Sequence, residues 1–146
     1  MKLTFKKLKE NAIIPTRATN ASAGLDICAC LDEPVTLEAG DIKMIPVGLT
    51  AEPDCDDVAL LIYPRSGLST KFGVSLANCV GVVDSDYRGE ICVGLCNVSD
   101  KPYTIQPDER IAQMVIMPVV LADFTETHEL SDTVRGEGGF GSSGKL

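Results

Sequence analysis

The chain has 146 residues, 45% of them hydrophobic, and carries 13 Lys and Arg against 21 Asp and Glu for a net charge of −8. That length fits one domain, or one domain plus a tail, and can bury about 68–70% of the unfolded surface without disulfide staples. The acidic balance excludes a protein that wraps a nucleic-acid backbone, and no apolar run approaches the roughly 18 residues of a membrane helix.

Taken in chain order, the hydrophobic period is mostly two. The basic start, Met1 to Lys7, leads into no apolar run, so no signal peptide is expected and a cytoplasmic chain is. Leu3, Phe5 and Leu8 begin an edge-like strand. Leu25 to Leu31 is a second. Val35 to Leu37 and Ile42 to Leu49 follow, separated by a turn at Glu38-Ala39-Gly40-Asp41. Val58 to Tyr63 is a continuous apolar run stopped by Pro64, which predicts a strand buried on both faces. Ser66 to Phe72 reads as the one helical turn, with Ser66 as N-cap. Ile91 to Val98 and Arg110 to Val120 are the last strands. Turn signals about every 8–12 residues point to an all-β sandwich or barrel rather than βαβ units.

The six cysteines form no C-x-x-C pair, and the single His128 is far from them in sequence. They read as small buried hydrophobes rather than zinc ligands or disulfides. Residues 136–144 hold five glycines in nine. A flexible linker explains such a stretch, but Arg135 and Phe140 within and beside it also suit a lid over an anionic, ring-bearing ligand.

Four further groups carry possible chemistry. Pro64-Arg65-Ser66-Gly67 places a guanidinium beside a helical turn, which suits either an anion or a simple capped turn. Gly81 to Glu90 reads as a hairpin with an Asx-rich turn. Asp84 and Asp86 share a face if the strand continues, as a base and its partner, or are turn formers. Asp26 stands among apolar neighbours and needs a partner, either a hydrated divalent cation or a backbone group. Gln113, in the apolar strand after Arg110, reaches a ligand oxygen or a neighbour. No Ser/His/Asp or Cys/His system is available, which favours direct attack by water over a covalent enzyme intermediate.

Ala23-Gly24-Leu25-Asp26, Pro64-Arg65-Ser66-Gly67-Leu68, Asn78 to Glu90, Arg110-Ile111-Ala112-Gln113-Met114 and Arg135 to Gly144 together resemble, in order and spacing, the five motifs of the trimeric deoxyuridine triphosphatases (dUTPases). Leu25 stands where an aromatic is common, and Ser143 where Thr is common. The resemblance implies a distorted jelly-roll β-barrel over residues 1–134, with one short helix and a flexible C-terminal lid over 135–146. It implies Mg²⁺-dependent hydrolysis of dUTP to dUMP and pyrophosphate, which keeps uracil out of DNA and supplies dUMP for thymidylate synthesis. The catalytic set it implies is Asp84, which deprotonates the water, Asp26, which holds the Mg²⁺ shell through water, and Arg135, on the γ-phosphate. The resemblance assigns Arg65, Ser66, Gly67 and Gln113 to the phosphates. Asn78, Val82, Val83 and Cys92 fall to the uracil pocket and Tyr87 to the deoxyribose. In the tail, Phe140 becomes the lid, and Gly141, Ser142 and Ser143 further phosphate contacts. A homotrimer with sites shared between chains is implied, with no nucleic acid or membrane as partner. The alternatives are a relative of dCTP deaminase and a non-catalytic nucleotide-binding regulator on the same fold.

Overall fold

The computed structural model describes residues 1–139. Its elements are β1 (Leu3–Lys7), β2 (Leu25–Cys28), β3 (Val35–Leu37), β4 (Ile42–Pro46), β5 (Leu49–Pro53), β6 (Val58–Pro64), α1 (Ser66–Phe72), β7 (Val74–Leu76), β8 (Gly81–Asp84), β9 (Cys92–Asn97), β10 (Tyr103–Ile105) and β11 (Arg110–Pro118). The described chain is thus mostly β with one short helix, as expected. All ladders are antiparallel, and they run β2-β11-β6-β8, β4-β9-β7, β1-β5 and β10-β3. No helix among the described residues is long and apolar enough to cross a membrane.

The apolar run of β6 explains its place inside the four-stranded sheet. Leu60 and Ile62 are 0% and 2% exposed and point into the core. Each such side chain contributes about 1.5–3 kcal/mol by leaving water. The register sets Leu25, Met114, Ile62 and Gly81 in one row on that inner face. Leu37, Ile45, Leu49, Leu95, Ile105 and Ile111 fill the same core from the other strands. Because side chains alternate, the next row along, Asp26, Gln113 and Tyr63, lies on the outer face.

Several expectations need correction. Ile42 to Leu49 is not one strand but two, broken at Gly48. That residue has φ +69, and a Cβ there would fall 2.6 Å from Cys30 Sγ, so only glycine fits. The N-cap of α1 is Arg65 in extended conformation, with no side-chain cap bond, and Ser66 is the first helical residue. The short β7 was not anticipated; its three residues give too little period to read. Gly81 to Glu90 does not form a two-stranded hairpin. β8 pairs with β6, while β9 lies between β4 and β7. Val93 and Leu95 of β9 are each 1% exposed between β4 and β7, and that burial holds the strand there. The cysteines are all free, as expected, but only Cys30 is fully buried, whereas Cys79 and Cys92 are exposed.

Candidate active site

The polar end of the outer face is built around Asp26. Its Oδ1 lies 3.1 Å from Nε of Arg65 and its Oδ2 lies 3.0 Å from Nη1 of Arg110. Arg65 follows directly from Pro64, which ends β6, and its Nη1 donates to the Arg110 carbonyl at 3.1 Å. Gln113 Nε2 donates to the Pro64 carbonyl at 3.0 Å. Sequence reading placed Asp26, Arg65 and Gln113 here, with the exposed Ser66 and Gly67 at the start of α1. It missed Arg110 as a partner of Asp26. A register shift between Arg110 and Ala112 turns that side chain toward β2, and a bulge of this kind leaves no mark in the hydrophobic period.

A recess of about 420 Å³ opens beside this group, lined in part by Arg65, Gly67, Lys71 and Arg110, with Asp108 and Glu109. The cations suit an anionic ligand, and the acids keep the wall from being uniformly basic. Tyr103, on the same wall, donates its hydroxyl to Glu109. Burial first, and then this carboxylate, push the phenol up to about 12.

Among the described residues no group of three His, Cys, Asp or Glu side chains could hold a metal ion. Among the described residues Asp26 is the carboxylate ion-paired with both Arg65 and Arg110, so both its oxygens already face guanidinium groups. Such a carboxylate fits a cation that arrives on phosphate oxygens and keeps its waters, and it does not fit a direct all-protein cage.

A second group forms where β8 ends. Val82, Val83, Asp84, Tyr87 and Cys92 line one recess of about 350 Å³ with Met44, Glu90 and Ile91. This brings together most of the residues expected at a base. The Tyr87 amide donates to the Asp84 carbonyl at 3.2 Å and closes the turn. Asp84 is exposed and stands opposite Ala59 on the outer face. β8 ends at Asp84, so Asp86 does not continue its strand face, yet both acids line a second recess of about 580 Å³ with Asp56 and Ser85. Burial, then Glu90, raise the Cys92 thiol above its ordinary value. Asn78 is exposed just before β8 and is not among the residues lining this recess.

The two groups are apart in a single chain. Asp84 faces position 59 of β6 and Gln113 faces position 63. Four residues along a strand are about 13 Å, and β8 to β2 spans three inter-strand gaps of about 4.8 Å each. By these ideal spacings the Asp84 and Asp26 backbones lie about 19 Å apart. Between them the outer face carries Leu61, Val82, Val115 and Met117, of which Val82 is 63% and Met117 41% exposed. Arg135 is exposed in a stretch after β11 that has neither strand nor helix. Among the described residues its side chain makes no hydrogen bond or ion pair with either group. Phe140, Gly141, Ser142 and Ser143 lie outside the described residues.

A dUTPase family model matches residues 10–144. Among curated relatives, the deoxyuridine 5'-triphosphate nucleotidohydrolase of Glaesserella parasuis is 46% identical over 99% of this chain and 96% of its own. The protein of the same name from Neisseria meningitidis serogroup A is 50% identical over 90% of this chain and 88% of its own. Among solved structures, a mutant dUTPase of Staphylococcus bacteriophage 80alpha with dUpNHpp superposes with a TM-score of 0.87 at 28% identity, covering 98% of both chains. A mutant dUTPase of S. aureus phage phi11, described for its coordination of a structural Mg(II) ion, gives a TM-score of 0.81 at 22% identity over 90% of this chain and 100% of its own. That last likeness speaks to the fold alone.

Proposed function

The chain belongs to the dUTPase family, and we propose a division of labour among its residues. The enzyme hydrolyses dUTP, and the products of the proposed step are dUMP and pyrophosphate. The observation that carries the reading is the single recess in which Val82, Val83, Asp84, Tyr87 and Cys92 meet at the end of β8. An exposed strand end offers backbone donors and acceptors to a base edge. A site that hydrogen-bonds uracil leaves those groups unpaired when cytosine enters, so discrimination is strong. In this reading Asn78 completes the base contacts from the neighbouring loop.

Asp84, at the mouth of this recess, takes the proton of a water that attacks the α-phosphorus. Arg65, Ser66, Gly67 and Gln113 hold the triphosphate at the other end of the outer face. Arg65 binds it by loosening its ion pair with Asp26. Asp26, so released, would hold a magnesium ion through its waters. A magnesium ion, when bound with the phosphates, would supply charge neutralisation. Tyr87 packs on the deoxyribose and excludes a 2′-hydroxyl. Arg135 neutralises the γ-phosphate, Phe140 covers the uracil, and Gly141, Ser142 and Ser143 add phosphate contacts.

The roughly 19 Å between the Asp84 and Asp26 backbones is too long for both to serve one α-phosphate within one chain. The apolar outer face between them supports association in which one protomer's Asp84 meets another's Asp26. We therefore propose a homotrimer, with residues 135–146 closing over a neighbour's site, and the sedimentation mass checks it.

The decisive assay is pyrophosphate release from dUTP with Mg²⁺, run beside ammonia release from dCTP. Pyrophosphate from dUTP alone supports the enzyme. Ammonia from dCTP indicates a deaminase, and binding of dUTP without turnover indicates a regulator.

A further inference from the structure

Building on the dUTP reading, we propose that Glu90 is a positioning residue for sugar selection. It holds the Tyr87 ring in place by tying the turn after β8 to the β4–β5 junction. Tyr87 is 45% exposed, so packing does little to set the direction of its ring. What sets it is a hydrogen bond: the Tyr87 hydroxyl donates to the Glu90 carbonyl at 3.0 Å. The ring lies over Gly89, where a side-chain carbon would collide with it.

Glu90 is fixed in turn. Its carboxylate Oε1 accepts the Gly48 amide at 2.9 Å. Gly48 is packed closely on one side, where Cys30 and Ala12 occupy the place a side chain would take. Its carbonyl also accepts the Leu8 amide at 2.8 Å. The next residue, Ile91, is 2% exposed, and its amide donates to the Leu49 carbonyl at 2.8 Å. A rigid junction therefore reaches the ring through two bonds, one made by the carboxylate of Glu90 and one by its carbonyl. Glu90 and Tyr87 line the same recess. A displaced glutamate moves the ring that stands between the site and a ribose.

The test compares kcat/KM for dUTP and for UTP in four proteins: wild type, Glu90→Ala, Glu90→Gln and Tyr87→Phe. Wild type is expected to prefer dUTP, and a wild type without that preference sinks the dUTP-site reading itself. Glu90→Ala removes the acceptor for Gly48 and is expected to lower the dUTP:UTP ratio by about 10- to 100-fold, the scale of a small misplacement. Glu90→Gln keeps an oxygen acceptor and is expected to restore the ratio. Tyr87→Phe keeps the ring and loses the bond, so it is expected to behave like Glu90→Ala. A merely structural glutamate would lower both substrates in proportion and leave the ratio unchanged, and that result overturns the proposal. So does Glu90→Gln behaving like Glu90→Ala. Should Glu90→Ala not fold, Glu90→Asp, one methylene short of Gly48, takes its place in the same comparison, while Tyr87→Phe alters only an exposed side chain.

Discussion

Asp26 and Arg110 stand 84 residues apart in the chain and 3.0 Å apart in the fold. With Arg65 on the other oxygen, a single carboxylate holds two guanidiniums. A half-buried acid needs such partners, and they in turn are preset beside the start of α1, where the phosphates are proposed to bind.

Asp26→Asn keeps the shape and removes the charge that holds both arginines. Arg110 is 56% exposed, so solvent screens that pair, but Arg65 and Asp26 are only 28% and 20% exposed, and a stability loss of about 1–3 kcal/mol is expected. The kinetic effect should be larger. kcat/KM for dUTP is expected to fall about 10- to 100-fold, as for other groups that orient metal-bound water, and to need more Mg²⁺ for half-maximal rate. A magnesium titration of both proteins checks it, and an unchanged midpoint removes Asp26 from the metal shell.

Asp84→Asn separates binding from chemistry. The side chain is exposed and makes no structural ion pair among the described residues, so the melting temperature should stay within about 1 °C. Asn cannot take a proton from water, so kcat is expected to fall about 10²–10⁴-fold with KM little changed. Steady-state kinetics checks both, and a near-normal kcat means that another group is the base.

How far these sites could be read from sequence differs by residue. β6 was legible because Val58 to Tyr63 is a continuous apolar run stopped by a proline. The motifs around Asp26, Arg65 and Asp84 were legible because particular side chains cluster in short stretches. The break at Gly48 was not, because it depends on Cys30 and Ala12 closing in from distant parts of the chain. Nor was the divergence of β8 from β9, since two apolar arms around a turn predict a hairpin whatever other strands stand ready to pair with them. The Asp26–Arg110 pair depends on a bulge, which shifts the register without changing composition.

Tyr103 gives a pH-dependent stability with a definite sign. Burial and the Glu109 carboxylate raise its phenol from 10 to about 12. Between those values the unfolded chain has lost the phenolic proton that the native state still holds. Native stability therefore falls as pH rises from about 10 to about 12, and is unaffected by this group below 10. Melting temperatures measured from pH 9 to 12 are expected to fall more steeply for the natural protein than for Tyr103→Phe. The phenylalanine keeps the ring that packs on Phe72, 5.0 Å away centroid to centroid, and removes the titration together with the hydroxyl's bond to Glu109, so the comparison rests on the slope of each curve and not on its height. Parallel curves for the two proteins would assign the alkaline loss elsewhere.

The last prediction concerns residues 135–146. Pairing of β11 ends at Pro118, opposite Val58, and the Val119 amide makes one more bond to the Asp57 carbonyl. Beyond that point the described chain contributes nothing to the core: Val120, Leu121, Phe124, Leu130 and Val134 are each at least 72% exposed. Deleting residues 135–146 removes Arg135 and Phe140 but no buried side chain among the described residues. The truncated protein is expected to keep its melting temperature. It is expected to lose most of its turnover, because the proposed γ-phosphate guanidinium and the cover over the base act on the reacting complex rather than on the β core. Phe140→Ala should fall between the two, since Arg135 remains. If the melting temperature drops sharply on truncation, the segment supports the fold instead. If turnover survives intact, the glycine-rich stretch is a linker, and the site closes by other means.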